Sequence, residues 1–249
     1  SAEQITKAGL EQDEDVNLKA GFLWHSIKRR HASTGLTATV VNFVPANQDT
    51  LELMKVNLFN QGKETIELDP VAAIPIYARS ADNLRDHRHV TALLHRTNCH
   101  PYGVRVRPTM SFDERGHREN CMNYVVLGVD GDGNPPQGFT PLVEDFIGEG
   151  GCLEWPGAIV EGTPILRKAG SYFEGYESIG ALHFSRVSLE PGESKTYILI
   201  LGIMTDEMDI RTLVEQYGSE HKFAVSLDMT RTFWQDKLSS LRFNHQNQR

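Results

Sequence analysis

Between about Val16 and Tyr77 the sequence alternates short apolar runs with turn formers. The runs AGFLWHSI, GLTATVVNFVP, TLELMKVNLFN and ETIELDPVAAIPIYA are rich in β-branched and aromatic residues, and Pro45-Ala46-Asn47 and Asn60-Gln61-Gly62-Lys63 punctuate them. That pattern predicts a succession of β-strands. In TLELMKVNLFN the apolar positions Leu51, Leu53, Val56 and Leu58 fall out of step between Met54 and Lys55. A β-bulge, or burial of both faces of the strand, would each produce that break. HVTALLHRT, GVRVRPTMSF, CMNYVVLGV, SIGALHFSRVSL and KTYILILGIM continue the theme between Gly-Asp, Arg-Gly and Pro-Gly turns. Strands at regular spacing, with no helical period between them, predict an all-β body: a large antiparallel β-sandwich rather than βαβ units.

The end of the chain reads differently. In TDEMDIRTLVEQYG, Thr205 or Asp206 can cap a helix whose apolar stripe is Met208, Ile210, Leu213 and Val214, with Gly218 beyond it. A second helix is expected from Ser219, because Phe223, Leu227, Thr230, Trp234, Leu238 and Leu241 recur at three- and four-residue steps. The closing RFNHQNQR is polar and uncapped, as though cut where something continues. The simplest partition is a β-sandwich domain over residues 1–204 and a helical appendage over residues 205–249.

Composition narrows the class. The chain has 249 residues, 39% of them apolar and 23% charged, enough for a packed core and free of any disordered or collagenous signature. With a formal charge of −8 and no basic run longer than Lys28-Arg29-Arg30-His31, a nucleic-acid partner is not expected. No apolar run approaches the roughly 18 residues of a membrane span, and the first 20 residues are acidic and polar, unlike a secretion signal. Cys99, Cys121 and Cys152 cannot all pair and form no CxxC motif, which suits a reducing, cytoplasmic compartment.

Several stretches carry candidate chemistry. DGDGNPPQGFTP places Asp130, Asp132 and Asn134 like the first ligands of a calcium loop, but Pro135 and Pro141 stand where glycine and a bidentate acid are needed, so a hairpin turn is expected. His95, Cys99 and His100 lie close in HRTNCH without a second ligand pair at zinc spacing; a structural histidine and a buried thiol are the simpler reading, and no metal site is expected. Residues 78–96 hold four Arg and three His. On a strand, alternate residues of this run would form a polar face able to donate hydrogen bonds to sugar hydroxyls, phosphate or a partner's carboxylates. A solvated face with internal ion pairs such as Asp86 with Arg85 is equally consistent with the composition. GFTPLVEDFIGEGGCLEWPGAI carries Glu144, Asp145, Glu149 and Glu154 beside Trp155. Two such acids held across a glycosidic bond could cleave it. Acids in a Gly-rich loop can equally accept backbone N–H bonds, with Trp155-Pro156 packed as a lid.

HVTALLHR, RPTMSFDERGHRENCMNYVVLG and GFTPLVEDFIGEGGCLEWP, followed by TRTFWQDKLSSLRF, resemble the N-terminal β-sandwich region of the glycoside hydrolase family 94 phosphorylases. The resemblance is to the 1,2-β-oligoglucan phosphorylase branch, with cellobiose phosphorylase and cyclic β-1,2-glucan synthase as relatives. It implies a supersandwich similar to that of the galactose mutarotase superfamily, whose two C-terminal helices link it to an (α/α)6 barrel. The barrel of such enzymes carries the aspartate general acid and the site for inorganic phosphate, which is a co-substrate of the parent enzyme; no cofactor is implied. The resemblance further implies an inverting phosphorylase parent, a homodimer, and a β-glucan oligosaccharide as ligand. On that reading this chain is non-catalytic; side-chain chemistry, not the resemblance, makes Glu149, Glu154 and Trp155, with Arg85, His87, Arg88, His95 and Arg96, its candidate carbohydrate or interface residues.

Two further readings compete. Trp24, Trp155, Tyr172, Phe173 and Tyr176 could be stacking platforms of a free-standing carbohydrate-binding module. A mutarotase-like epimerase would draw an acid from His95, His100, His117 or His183 and a base from Glu149 or Glu154.

Overall fold

A computed structural model describes residues 14–79, 88–113, 116–205 and 209–239. In chain order the strands are β1 (Glu14–Gly21), β2 (Trp24–His31), β3 (Leu36–Phe43), β4 (Leu51–Asn60), β5 (Ile66–Leu68), β6 (Val71–Ile76), β7 (His95–His100), β8 (Gly103–Pro108), β9 (Met110–Asp113), β10 (Gly116–Glu119), β11 (Asn123–Asp130), β12 (Gly138–Leu142), β13 (Tyr172–Glu174), β14 (Ser178–His183), β15 (Val187–Leu189) and β16 (Ser194–Met204). Helices are α1 (Arg88–Ala92), α2 (Val143–Ile147), α3 (Gly157–Val160), α4 (Ile210–Tyr217) and α5 (Glu220–Leu238).

Nine strands form one antiparallel sheet in the order β1-β2-β3-β4-β16-β11-β8-β7-β13, and β12-β14-β6 form a second, smaller one. The central strands are apolar on both faces because each face meets another layer. Val125, Leu127, Val129, Ile198 and Ile200 pack under Ile210, Leu213, Tyr217, Phe223 and Leu227 of α4 and α5. The alternate residues Val126, Tyr197 and Leu199 pack against Phe139, Leu182 and Phe184 on the small-sheet side. The outer face of the small sheet, Ile179 and Ala181, is covered by Phe146 of α2 and Ala158 of α3. The order is helices, large sheet, small sheet, short helices. Sheet approaches sheet closely at Gly180, where a Cβ would lie 2.4 Å from Val126 Cβ. Period-2 alternation therefore sorts the central strands between two cores.

Strand β4 resolves the break in TLELMKVNLFN. Its pairing with β3 and β16 is continuous, without a bulge. Leu51 and Leu53 join the helix-side core while Met54, Val56 and Leu58 pack toward the other face, and Lys55 reaches over the Phe223 ring at 5.6 Å.

Four expectations are corrected. AGFLWHSI is not one strand: it turns at Phe22-Leu23, with Leu23 at φ 55°, between β1 and β2. In HVTALLHRT a short helix precedes the strand, which begins only at His95. DGDGN is not a hairpin, because β11 belongs to the large sheet and β12 to the small one. Asp130 shapes this crossover, accepting from Asp132 N at 3.0 Å and Asn134 N at 2.8 Å, while Lys195 bridges Asp130 and Asp132. The cap of α4 is Asp209, whose carboxylate accepts from Thr212 N, rather than Thr205 or Asp206. The second cap is at Ser219 as expected, accepting from Lys222 N. Leu241 lies outside the described residues.

Candidate functional site

Where α4 and α5 stop covering the large sheet, its β8-β7-β13 end presents an open polar face. The sequence dictates this locally. In GVRVRP, Val104 and Val106 turn into the inter-sheet core, so Arg105 and Arg107 project the other way. In HRTNCH, His95, Thr97 and Cys99 are buried, which puts Arg96, Asn98 and His100 on the opposite face. Registry then aligns the rows: Arg96 is paired with Arg107 and Glu174, and Asn98 with Arg105 and Tyr172. Thr109, Glu119 and Asn120 wall off a groove of about 390 Å³ over these residues, a size suited to a small ligand.

Donors dominate the groove. Arg96 Nε lies 3.7 Å from Glu174, and its Nη1 donates to His95 O at 2.9 Å and Leu93 O at 3.3 Å. Arg107 Nη2 lies 3.8 Å from Glu119. Tyr172 is 52% exposed and donates to Glu174 Oε1 at 2.8 Å, a bond that raises the phenol pKa. Arg105 forms no ion pair with a carboxylate among the described residues. Burial, and then the charge of Arg105, hold the neighbouring His100 below the ordinary histidine range. Guanidinium groups stay charged at any working pH and cannot act as bases. The arrangement is therefore suited to holding an oxygen-rich ligand.

The residues singled out from sequence are scattered by the fold. Arg96 lies in the groove. His95, its neighbour, faces the interior, where its Nε2 meets Tyr77 O at 3.1 Å and its Nδ1 the Ser178 hydroxyl at 3.4 Å; burial lowers its pKa. The cavity beside it, about 20 Å³, is too small for a sugar ring. Arg88 lies on α1, and Arg85 and His87 lie outside the described residues. Glu149, Glu154 and Trp155 are exposed in the turn between α2 and α3, and none of them lines the groove. The outer layer is a strand-helix-turn-helix cover: acids in the first turn suit the N-terminus of α2, Gly148 ends it at φ 73°, and Asp145 is held by Arg167 at 3.0 Å.

The histidines and acids considered for epimerase chemistry differ in their surroundings. His183 is buried against the Thr140 hydroxyl at 2.9 Å, while Glu149 and Glu154 are exposed in the turn between α2 and α3. Among the aromatic platforms, Trp24 is capped by Arg231 at 4.3 Å and Phe173 by Arg167 at 5.3 Å. Cys99 is buried, which raises its thiol pKa to about 11, and Cys121 and Cys152 are exposed free thiols. Among the described residues no three His, Cys, Asp or Glu side chains are placed to hold a metal ion, and no helix is long and apolar enough to cross a membrane. Sequence reasoning passed over Asn98, Arg105, Arg107, Glu119 and Asn120; the strict Val-Arg-Val-Arg alternation of β8 was the available signal.

The sequence profile of the glycosyl hydrolase 94 supersandwich domain matches residues 8–220. No curated protein sequence matches the chain. Solved structures similar to it include a polysaccharide lyase at 12% identity and TM-score 0.35, the match covering 82% of this chain and 23% of that one. A glycoside hydrolase family 36 α-galactosidase from Geobacillus stearothermophilus, solved with raffinose, is similar at 13% identity and TM-score 0.32, over 78% of this chain and 27% of that one. A protein described as an aldose 1-epimerase from Escherichia coli K12 is similar at 9% identity and TM-score 0.35, over 77% of this chain and 69% of that one. The chain thus spans about a quarter of the lyase and α-galactosidase chains.

Proposed function

The chain belongs to the glycosyl hydrolase 94 supersandwich-domain family, and on that premise we propose that it is the non-catalytic sandwich domain of a β-glucan phosphorylase acting on β-1,2-glucooligosaccharides. It frames the carbohydrate site and contributes to dimer assembly, while residues 205–249 lead toward an (α/α)6 barrel that supplies the general acid and holds inorganic phosphate. The family match carries this reading. The groove supports it, because guanidinium, carboxamide and phenol groups suit saccharide oxygens. Incubated with β-1,2-glucooligosaccharides and phosphate, the isolated chain releases no glucose 1-phosphate; robust phosphorolysis defeats the proposal.

A second reading, a free-standing carbohydrate-binding module, is favoured by the exposed ring of Tyr172 in the groove. Calorimetric titration with neutral β-glucans separates the two. Silence supports a part of a larger site, and measurable affinity supports a module.

A further inference from the structure

The arginine groove contains a charge arrangement that stability alone does not favour. Arg96 and Arg107 are direct cross-strand partners on neighbouring strands β7 and β8. Like charges placed directly opposite each other destabilise a sheet. Arg105 adds a third guanidinium two residues from Arg107 on the same face. The concentration is local, since the chain as a whole carries a formal charge of −8.

Two carboxylates among the described residues stand beside the cluster, each at long range and largely exposed. Glu119 and Glu174 stand 3.8 and 3.7 Å from their arginines, with side chains 78% and 57% exposed. Such solvated pairs contribute little, and an incoming anion can take the place of either carboxylate. By contrast, the arginine frame is well set: two backbone carbonyls orient Arg96, and all three arginines spring from paired strands. Asn98, Thr109, Asn120 and the exposed Tyr172 ring complete the walls with groups suited to sugar hydroxyls and a sugar face.

We infer that this groove is a binding site for a phosphorylated sugar, with the phosphate monoester seated on Arg105, Arg107 and Arg96 and the ring against Tyr172, Asn98 and Asn120. A dianionic phosphate matches three planar forks better than a neutral hydroxyl does, because each fork can donate two parallel charge-assisted bonds. The volume of about 390 Å³ accommodates one such ligand and excludes a long chain lying wholly within it. A nucleic acid would need a longer basic track than these three arginines offer. The site lies entirely on this chain, so it goes beyond the proposed phosphorylase role and does not need the barrel.

Isothermal titration calorimetry of the 249-residue chain with glucose 6-phosphate, glucose, inorganic phosphate and a short acidic peptide tests it. Glucose 6-phosphate binds, inorganic phosphate binds more weakly, and glucose gives no signal. Arg105→Gln weakens glucose 6-phosphate binding about ten-fold or more, and Arg105→Lys restores only part of it, because the charge returns without the fork. Arg105 is exposed, so its variants keep the parent melting temperature, and Arg186→Gln, on a pair with Glu67 outside the groove, leaves binding unchanged. Glucose binding as well as its phosphate, inorganic phosphate matching the sugar phosphate, or indifference to Arg105→Gln overturns the inference. Binding of the acidic peptide without glucose 6-phosphate also overturns it and assigns the groove to a protein partner. Titration with neutral β-glucans and assay for glucose 1-phosphate report on the phosphorylase reading separately, so either proposal can fail alone.

Discussion

Replacing Phe223 by alanine tests whether the C-terminal helices are part of the sandwich or merely follow it. Phe223 lies on α5, is 1% exposed, and meets Phe43 of β3 edge to face with ring centroids 5.0 Å apart at 86°. It belongs to the same core cluster as Leu53, Leu127 and Ile198 of the large sheet. Truncating a buried phenylalanine costs about 3–5 kcal/mol, of which the aromatic pair accounts for about 0.5–1.5 kcal/mol. Against a total stability of about 5–15 kcal/mol, that is a large fraction. For a chain of this size it lowers the melting temperature by about 6–20 °C. The comparison is Met229→Ala on the same helix, where the side chain is 68% exposed and the change stays within about 0.5 kcal/mol. Both are measured by urea titration followed by far-UV circular dichroism and by a thermal scan. A Phe223→Ala loss below about 1 kcal/mol, or a separate early transition of the helices with the sheet signal intact, refutes the shared core.

Other consequences follow from particular contacts. Gly180→Ala drives a methyl into Val126 and costs about 1–3 kcal/mol or more in urea unfolding, and Val126→Ala in the same chain recovers part of it; an unchanged midpoint contradicts the close sheet approach. Asn60, fully buried, donates to Glu64 O and Leu189 O at 2.8 Å and accepts from Gly62 N at 2.8 Å, so Asn60→Ala strands three backbone groups and loses at least about 2 kcal/mol by the same assay. His95, His100 and His183 all sit below the ordinary histidine value, first through burial. Their unfolded values, about 6.5, lie above the folded ones, so the unfolded chain takes up the protons first as pH falls. Stability is full above about pH 6.5 and declines by at most about 1.4 kcal/mol per pH unit for each histidine on acidification. Urea midpoints at about pH 7.5 and about pH 5.5 check the sign, and a midpoint that is equal or higher at acid pH contradicts it.

Strand after strand of β-branched residues was legible as an all-β body, and the stripe from Phe223 to Thr230 was legible as a helix capped at Ser219, because each signal depends on a period of two or 3.6 residues within one segment. The same local alternation put Arg105 and Arg107 on one side of β8. What the order of residues alone did not settle was which segments become neighbours. His95 and Arg96 are adjacent in sequence, yet strand pleating sends one into the core and the other to the groove. Arg96, Arg107 and Glu174 meet only through pairing of β7 with β8 and β13, and Glu149 and Glu154 sit in a separate turn between α2 and α3. Side-chain periodicity is a short-range property of the backbone, whereas the groove is a product of strand order and register. Those are fixed by long-range burial of the two cores, and only the folded chain displays them.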